Sequence, residues 1–202
     1  MEETKFNDAG FDASYNKKES VKYGVLLGLI SLALGLVVLF ISKSIESFWL
    51  LTSVSFGVNT ILYIIIALVF AYALRKKNGG YWNFSIALKS TFLMLLISTL
   101  IATISTTLYV HSINPALQEE VLRNTINITI EQLESSGAPD DVIDTRVAAL
   151  EEQMNTLGEI TLKDTFRSIM ISIVMQFVFS LILAALTRNE KLSQGGLRKN
   201  FN

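Results

Sequence analysis

The sequence contains no cysteine, which excludes disulfides, thiolate metal sites and thiol catalysis. It has a single histidine, His111, so a histidine-rich metal cluster is excluded too. No phosphate-binding glycine loop, dinucleotide fingerprint, zinc-protease helix motif or nucleophile elbow occurs. Charge is scarce: 17% of the 202 residues are charged, against about 25% in an ordinary soluble domain. The deficit is local. No Asp, Glu, Lys or Arg falls in the 20 residues between Lys22 and Lys43, the 28 between Glu46 and Arg75, the 29 between Lys89 and Glu119, or the 20 between Arg167 and Arg188.

A hydrocarbon core about 30 Å thick takes roughly 20 residues of α-helix to cross, and each stretch is long enough. Soluble helices keep a charged face at the 3.6-residue period; these stretches have none. Barrel strands alternate with period two, whereas 26–30 and 64–70 are continuous apolar runs. We therefore expect an all-α membrane protein with four transmembrane helices, at about 21–42, 50–74, 86–112 and 166–187. The first apolar run is too long for a signal-peptide core and lacks a small-residue cleavage pattern, so we expect an uncleaved anchor. Residues 1–20 read as a polar tail, 21–112 as helices one to three, and 188–202 as a basic tail.

Residues 113–165 differ in character. The stretch 111–165 holds 11 acids and 3 bases, yet it is patterned. Leu122, Ile126, Ile130 and Leu133 recur at helical spacing, and Ile143, Val147, Leu150, Met154 and Leu157 follow a heptad rhythm. Between them, Gly137 suits a helix C-cap, Pro139 a first helical position, and Asp140 and Asp141 the positive end of a helix dipole. The spacing predicts an extramembrane helical hairpin between helices three and four. Asn114-Pro115 should interrupt the chain before it, and Gly158 with Thr161 and Asp164 should mark the return to the membrane.

Orientation follows lysine and arginine. The N-terminal tail, the 75–89 turn and the C-terminal tail together carry 12 bases, against 5 on the hairpin side. We expect both termini in the cytoplasm and the acidic hairpin outside. The basic clusters suit anionic lipid headgroups better than nucleic acid.

The spans contain no ionisable residue of the kind that proton relays and ion-coupled transporters use. Helix one carries Gly24, Gly28, Ser31 and Gly35, a small-residue stripe suited to close helix packing, within the bundle or between two copies. Polar residues in the spans include Asn59, Thr103, Ser172 and Gln176, which serve either as inter-helix hydrogen bonds or as the lining of a solute pathway. The hairpin glutamates read as a solvated face, with a calcium- or partner-binding surface as the rival; no EF-hand spacing is present. Asn127-Ile128-Thr129 matches a glycosylation acceptor. We expect a non-enzymatic, cofactor-free protein of structural, assembly or accessory type, contacting a membrane partner or a second copy through the hairpin. The alternative is a small-solute transporter or pore.

Tyr23-Gly24-Val25-Leu26-Leu27-Gly28, Asn78-Gly79-Gly80-Tyr81, Phe84 with Ala87-Leu88-Lys89, and Ile113-Asn114-Pro115 stand in an order and spacing that resemble a bacterial inner-membrane family, domain of unknown function 4199. The resemblance covers about residues 20–190. It implies four helices in a bacterial cytoplasmic membrane and supplies no activity or ligand. The family usually has an acid where Asn114 stands.

Overall fold

The computed structural model describes residues 13–155 and 162–189, and the charge-poor stretches in it are helical. Four helices are long and apolar enough to cross a membrane: Lys17–Ser42, Phe48–Lys77, Phe84–Leu108 and Phe166–Thr187. The described residues include no β-strand; Trp82 and Asn189 form an isolated antiparallel bridge.

Helix α1 runs Ala13–Ser42. The expected polar tail therefore ends early: 13–20 already belong to the helix, and the remainder of the tail lies outside the described residues. Lys17, Lys18 and Glu19 are good helix formers, and Glu19 is held by Lys77 at 2.8 Å. At 30 residues, α1 is about 45 Å long, longer than the hydrocarbon core.

The second span is not one regular helix. It comprises α2 (Phe48–Phe56), a wider π-turn over Gly57–Leu62, and α3 (Tyr63–Lys77). Gly57, Asn59 and the β-branched Val58, Thr60 and Ile61 are weak helix formers, which lets the turn widen. Asn78 closes α3, and Gly79 and Gly80 follow at φ 78° and 81°, a left-handed path open to glycine. Asn83 then caps α4 (Phe84–Leu108), its Oδ1 accepting the Ile86 N–H at 2.9 Å.

A second π-turn, Tyr109–Ile113, leads to α5 (Pro115–Ser135), with proline in its first turn. The α5 end is a Schellman turn: Gly137 at φ 71° donates to the Glu134 carbonyl and Ala138 to that of Leu133. Helix α6 spans Asp140–Asn155. Pro139 sits just before it, where its carbonyl accepts the Val142 and Ile143 N–H groups, rather than at the first helical position. Helix α7 spans Leu162–Thr187, about one turn longer at its start than the expected span 166–187. Leu157, Gly158 and Thr161 lie outside the described residues.

Helix α4 is the centre of the bundle, packed along α1 on one side and α7 on another. Among the described residues, the second span reaches α4 and α7 only through α3, while α2, the π-turn and α3 all touch α1. The core accordingly lies in the basic-turn half of the bundle, built on Leu27, Leu74, Trp82, Met94, Leu95 and Leu183.

Candidate functional site

The hairpin is fixed to the bundle by named contacts. In α6, Ile143, Val147, Leu150 and Met154 are the residues turned inward, and the others are exposed. The heptad seam is thus the face packed on α5. Helix α5 carries a second stripe, Leu117, Val121, Asn124 and Ile128, which faces the bundle. Ile128 packs with Ile45 of the link between the first two spans and with Leu51 of α2. Asn124 Nδ2 donates to the carbonyls of Ser42 (2.8 Å) and Ile45 (2.7 Å). Those carbonyls belong to the chain leaving α1, where four acceptors lose their helical partners. Lys43 reaches Glu120 at 3.3 Å, but both side chains are well exposed, so the pair is worth at most about 1 kcal/mol.

The exposed surface of the hairpin is mainly acidic: Asp140, Asp141, Asp144, Glu151 and Glu152 on α6, with Glu131 and Glu134 on α5, are exposed, beside the bases Arg146 and Arg123. A groove of about 250 Å³ runs beside the mount, lined by Glu46, Ser47, Phe48, Ile128, Glu131, Gln132 and Ser135. Among the described residues no group of three or more potential metal ligands gathers, there or elsewhere.

The small-residue stripe of α1 divides. Gly24 and Gly28 press on α4: a Cβ on Gly24 would lie 2.7 Å from the Met94 carbonyl oxygen, and one on Gly28 would lie 2.9 Å from Ile101 Cβ. Gly35 meets nothing within 4 Å. Ser31 returns its hydroxyl to the Leu27 carbonyl at 2.7 Å. The close approach made possible by Gly24 and Gly28 is therefore used within the chain.

The expected intramembrane polar set divides as well. Asn59 and Thr103 are exposed on the bundle surface, while Ser172 and Gln176 are half-buried. Thr91, fully buried, sets the register of α4 against α7 through its hydroxyl, 3.4 Å from the Ser180 carbonyl. Deeper in the span, the Tyr63 hydroxyl faces the hydroxyls of Ser98 and Thr99, and the Tyr63 ring stacks on Phe179 at 6.4 Å. Tyr63 Oη, Ser98 Oγ and Gln176 Oε1 are buried without a protein hydrogen-bond partner. Ser31, Thr91, Thr125, Thr129, Thr145 and Thr187 all donate to the carbonyl four residues back; Ser98 does not. An unpartnered buried hydroxyl costs about 1–3 kcal/mol. Ser98→Ala should therefore raise the thermal unfolding temperature in detergent, with a gain of roughly 1 kcal/mol; a fall would show that the hydroxyl supports the fold.

The turn after α3 ties the ends of the bundle together. Trp82, 1% exposed, exchanges backbone hydrogen bonds with Asn189 at 2.8 and 2.9 Å, and Asn189 Nδ2 donates to Gly80 O at 3.0 Å. Arg75 donates to the Thr187 carbonyl at 3.3 Å and Tyr72 to that of Leu186 at 3.5 Å. These donors cap the C-terminus of α7, where a cation also suits the dipole. Asn78-Gly79-Gly80-Tyr81 therefore marks a structural joint. A family model described as Protein of unknown function (DUF4199) matches residues 22–189, from α1 to this joint's partner Asn189. The chain belongs to the DUF4199 family. No curated protein and no solved structure matches it.

In this DUF4199 protein Asn114 is the N-cap of α5, its Oδ1 accepting the Leu117 N–H at 3.2 Å. An aspartate at this position would offer the same acceptor. Sequence reasoning missed Asn124 and Tyr63. Asn124 was detectable as the polar member of the 117, 121, 124, 128 stripe. Tyr63 had no comparable signal, because its role depends on the π-turn before it.

Proposed function

We propose that this multi-pass membrane protein is a non-enzymatic accessory or assembly factor of a bacterial cytoplasmic membrane. Both termini lie in the cytoplasm in this reading, and the acidic hairpin outside is the recognition surface. The supporting observation is the mount: Asn124 bonds two carbonyls at the α1 end, which holds α6 in place with its acidic face outward. A surface held still loses less entropy on binding than a loose one. Its charge favours a partner that presents lysine or arginine over a second copy of the same acidic face.

Single cysteines at Asp144 and Glu151, probed in native membranes, test the proposal. A bifunctional thiol-to-amine reagent should give a discrete heteromeric adduct from both positions, and an impermeant maleimide should label them from the outside. Monomer alone from both positions would remove the partner reading, and labelling only in inverted vesicles would reverse the sidedness.

A through-going solute pore draws support from only part of its expected lining. Ser172 and Gln176 face the bundle, but Asn59 and Thr103 do not. Leu74, Trp82, Leu95 and Leu183 also fill the basic-turn half.

A further inference from the structure

The second span is thinly covered where it leaves α1. Among the described residues, α2 and the turn Gly57–Leu62 touch α1, and α2 also touches α5; neither touches α4 or α7. Of the four spans the second is the least buried: 11% of its apolar window is covered, against 22%, 33% and 17% in the other three. Thr52, Phe56 and Asn59 recur on this segment at the spacing of helical neighbours, and all three are exposed.

Asn59 is the residue out of place on such a face. It lies one or two residues from the middle of the charge-free run between Glu46 and Arg75. At the helical rise it stands about 16 Å from Phe48, near the centre of a hydrocarbon core about 30 Å thick. Its carboxamide makes no hydrogen bond among the described residues. An amide left unpaired in hydrocarbon is costly, and asparagine at this depth pairs across helices. The face is therefore suited to another helix and not to lipid.

The carboxamide also says which helix. Its Nδ2 donates and its Oδ1 accepts, so two such groups facing each other make two reciprocal bonds. Copies of one chain insert in the same direction and carry Asn59 at the same depth. A two-fold axis along the membrane normal then sets like against like, and the amide meets its complement with no further requirement. A different protein would have to present its own polar group at the centre of the bilayer.

We propose that the chain dimerises within the membrane through the outer face of α2 and the π-turn, with Asn59 of each copy bonded to Asn59 of the other. The contact does not use the acidic face of α6, so it stands or falls separately from the hairpin's role.

Because the sequence has no cysteine, single introduced cysteines report on one position each. The test uses the purified full chain in phospholipid vesicles. Oxidation of Phe56→Cys with copper phenanthroline should give a disulfide-linked species of twice the chain's mass, whereas Val174→Cys, exposed on α7, should stay monomeric. Energy transfer between donor- and acceptor-labelled copies carrying Asp144→Cys, read as lipid is added, gives the dimer dissociation constant. Asn59→Leu should raise that constant about tenfold. Asn59→Gln, which keeps a donor and an acceptor, should recover most of the loss. Both replace an exposed side chain with no hydrogen bond among the described residues, so both should fold. Monomer alone from Phe56→Cys, linkage from Val174→Cys as efficient as from Phe56→Cys, a dissociation constant unchanged by Asn59→Leu, or glutamine as weak as leucine would overturn the proposal.

Discussion

Leucine at both Gly24 and Gly28 is expected to separate α1 from α4 and to abolish the folded bundle in detergent. The reason lies in what a side chain there would strike. At Gly24 the first added atom would already sit 2.7 Å from the Met94 backbone oxygen and 2.9 Å from Ile97 Cβ. Backbone and branch atoms cannot rotate away, so the helices must move apart. Even alanine, the smallest replacement, overfills the seam at about 1–3 kcal/mol per site, against a helix-propensity gain of at most about 1 kcal/mol. Leucine adds three more carbons to the same contact. With total stabilities of about 5–15 kcal/mol, two such sites remove most of what holds the fold. Gly35 is the internal control, since nothing lies within 4 Å of its added Cβ. Gly35→Ala should stabilise by about 0.5–1 kcal/mol through backbone entropy alone. Thermal unfolding followed by circular dichroism, with size exclusion for monodispersity, reads both signs. Glycine variants that unfold alike at 24, 28 and 35 would show that the seam is not where the helices meet.

Much of this arrangement was legible in the sequence, for a simple reason. Lipid permits a helical span almost no charge, so charge-free runs of helix length announce the spans directly. The hairpin was legible because Ile143, Val147, Leu150 and Met154 obey a packing period, and because Gly137 and Pro139 punctuate the turn. Direction was harder. The stripe of small residues showed that α1 packs closely, yet nothing in Gly24 or Gly28 says whether α4 or another copy fills the space. Inside a span every face is apolar, so the 3.6-residue pattern that orients a soluble helix is missing. For the same reason Asn59 and Thr103 looked equivalent to Ser172 and Gln176, although the bundle turns the first pair out and the second pair in. The π-turn at Gly57–Leu62 was invisible as well. One widened turn rotates everything after it and so decides that Tyr63 reaches Ser98, and the composition of the turn permits this shape without requiring it.

Asn124→Ala is expected to free the hairpin while leaving the membrane bundle folded. Its amide nitrogen holds two carbonyls, Ser42 O at 2.8 Å and Ile45 O at 2.7 Å. Each bond contributes about 0.5–1.5 kcal/mol net, and their loss leaves two acceptors at the end of α1 short of donors. The remaining ties include the contact of Ile128 with Ile45 and Leu51, the packing of α5 on α1 and the second π-turn, and the exposed Lys43–Glu120 pair, which adds at most about 1 kcal/mol. A local loss of about 2–3 kcal/mol should therefore raise hydrogen exchange along α5 and at the α1–α2 link by a factor of about 30–150. Exchange in α4 should stay as it was. Asn124→Asp makes the sharper case. It keeps the shape, removes both donated bonds, and turns a negative oxygen toward the two carbonyls. It should loosen the hairpin more than alanine does, and the difference should shrink as pH falls through the carboxylate range and the side chain regains a proton to donate. If aspartate and alanine loosened the hairpin equally at every pH, the amide would be filling space and not capping α1. If the hairpin does loosen, crosslinks from Asp144 and Glu151 should become diffuse in the same variants, because a recognition face that depends on being held still cannot survive losing its hold.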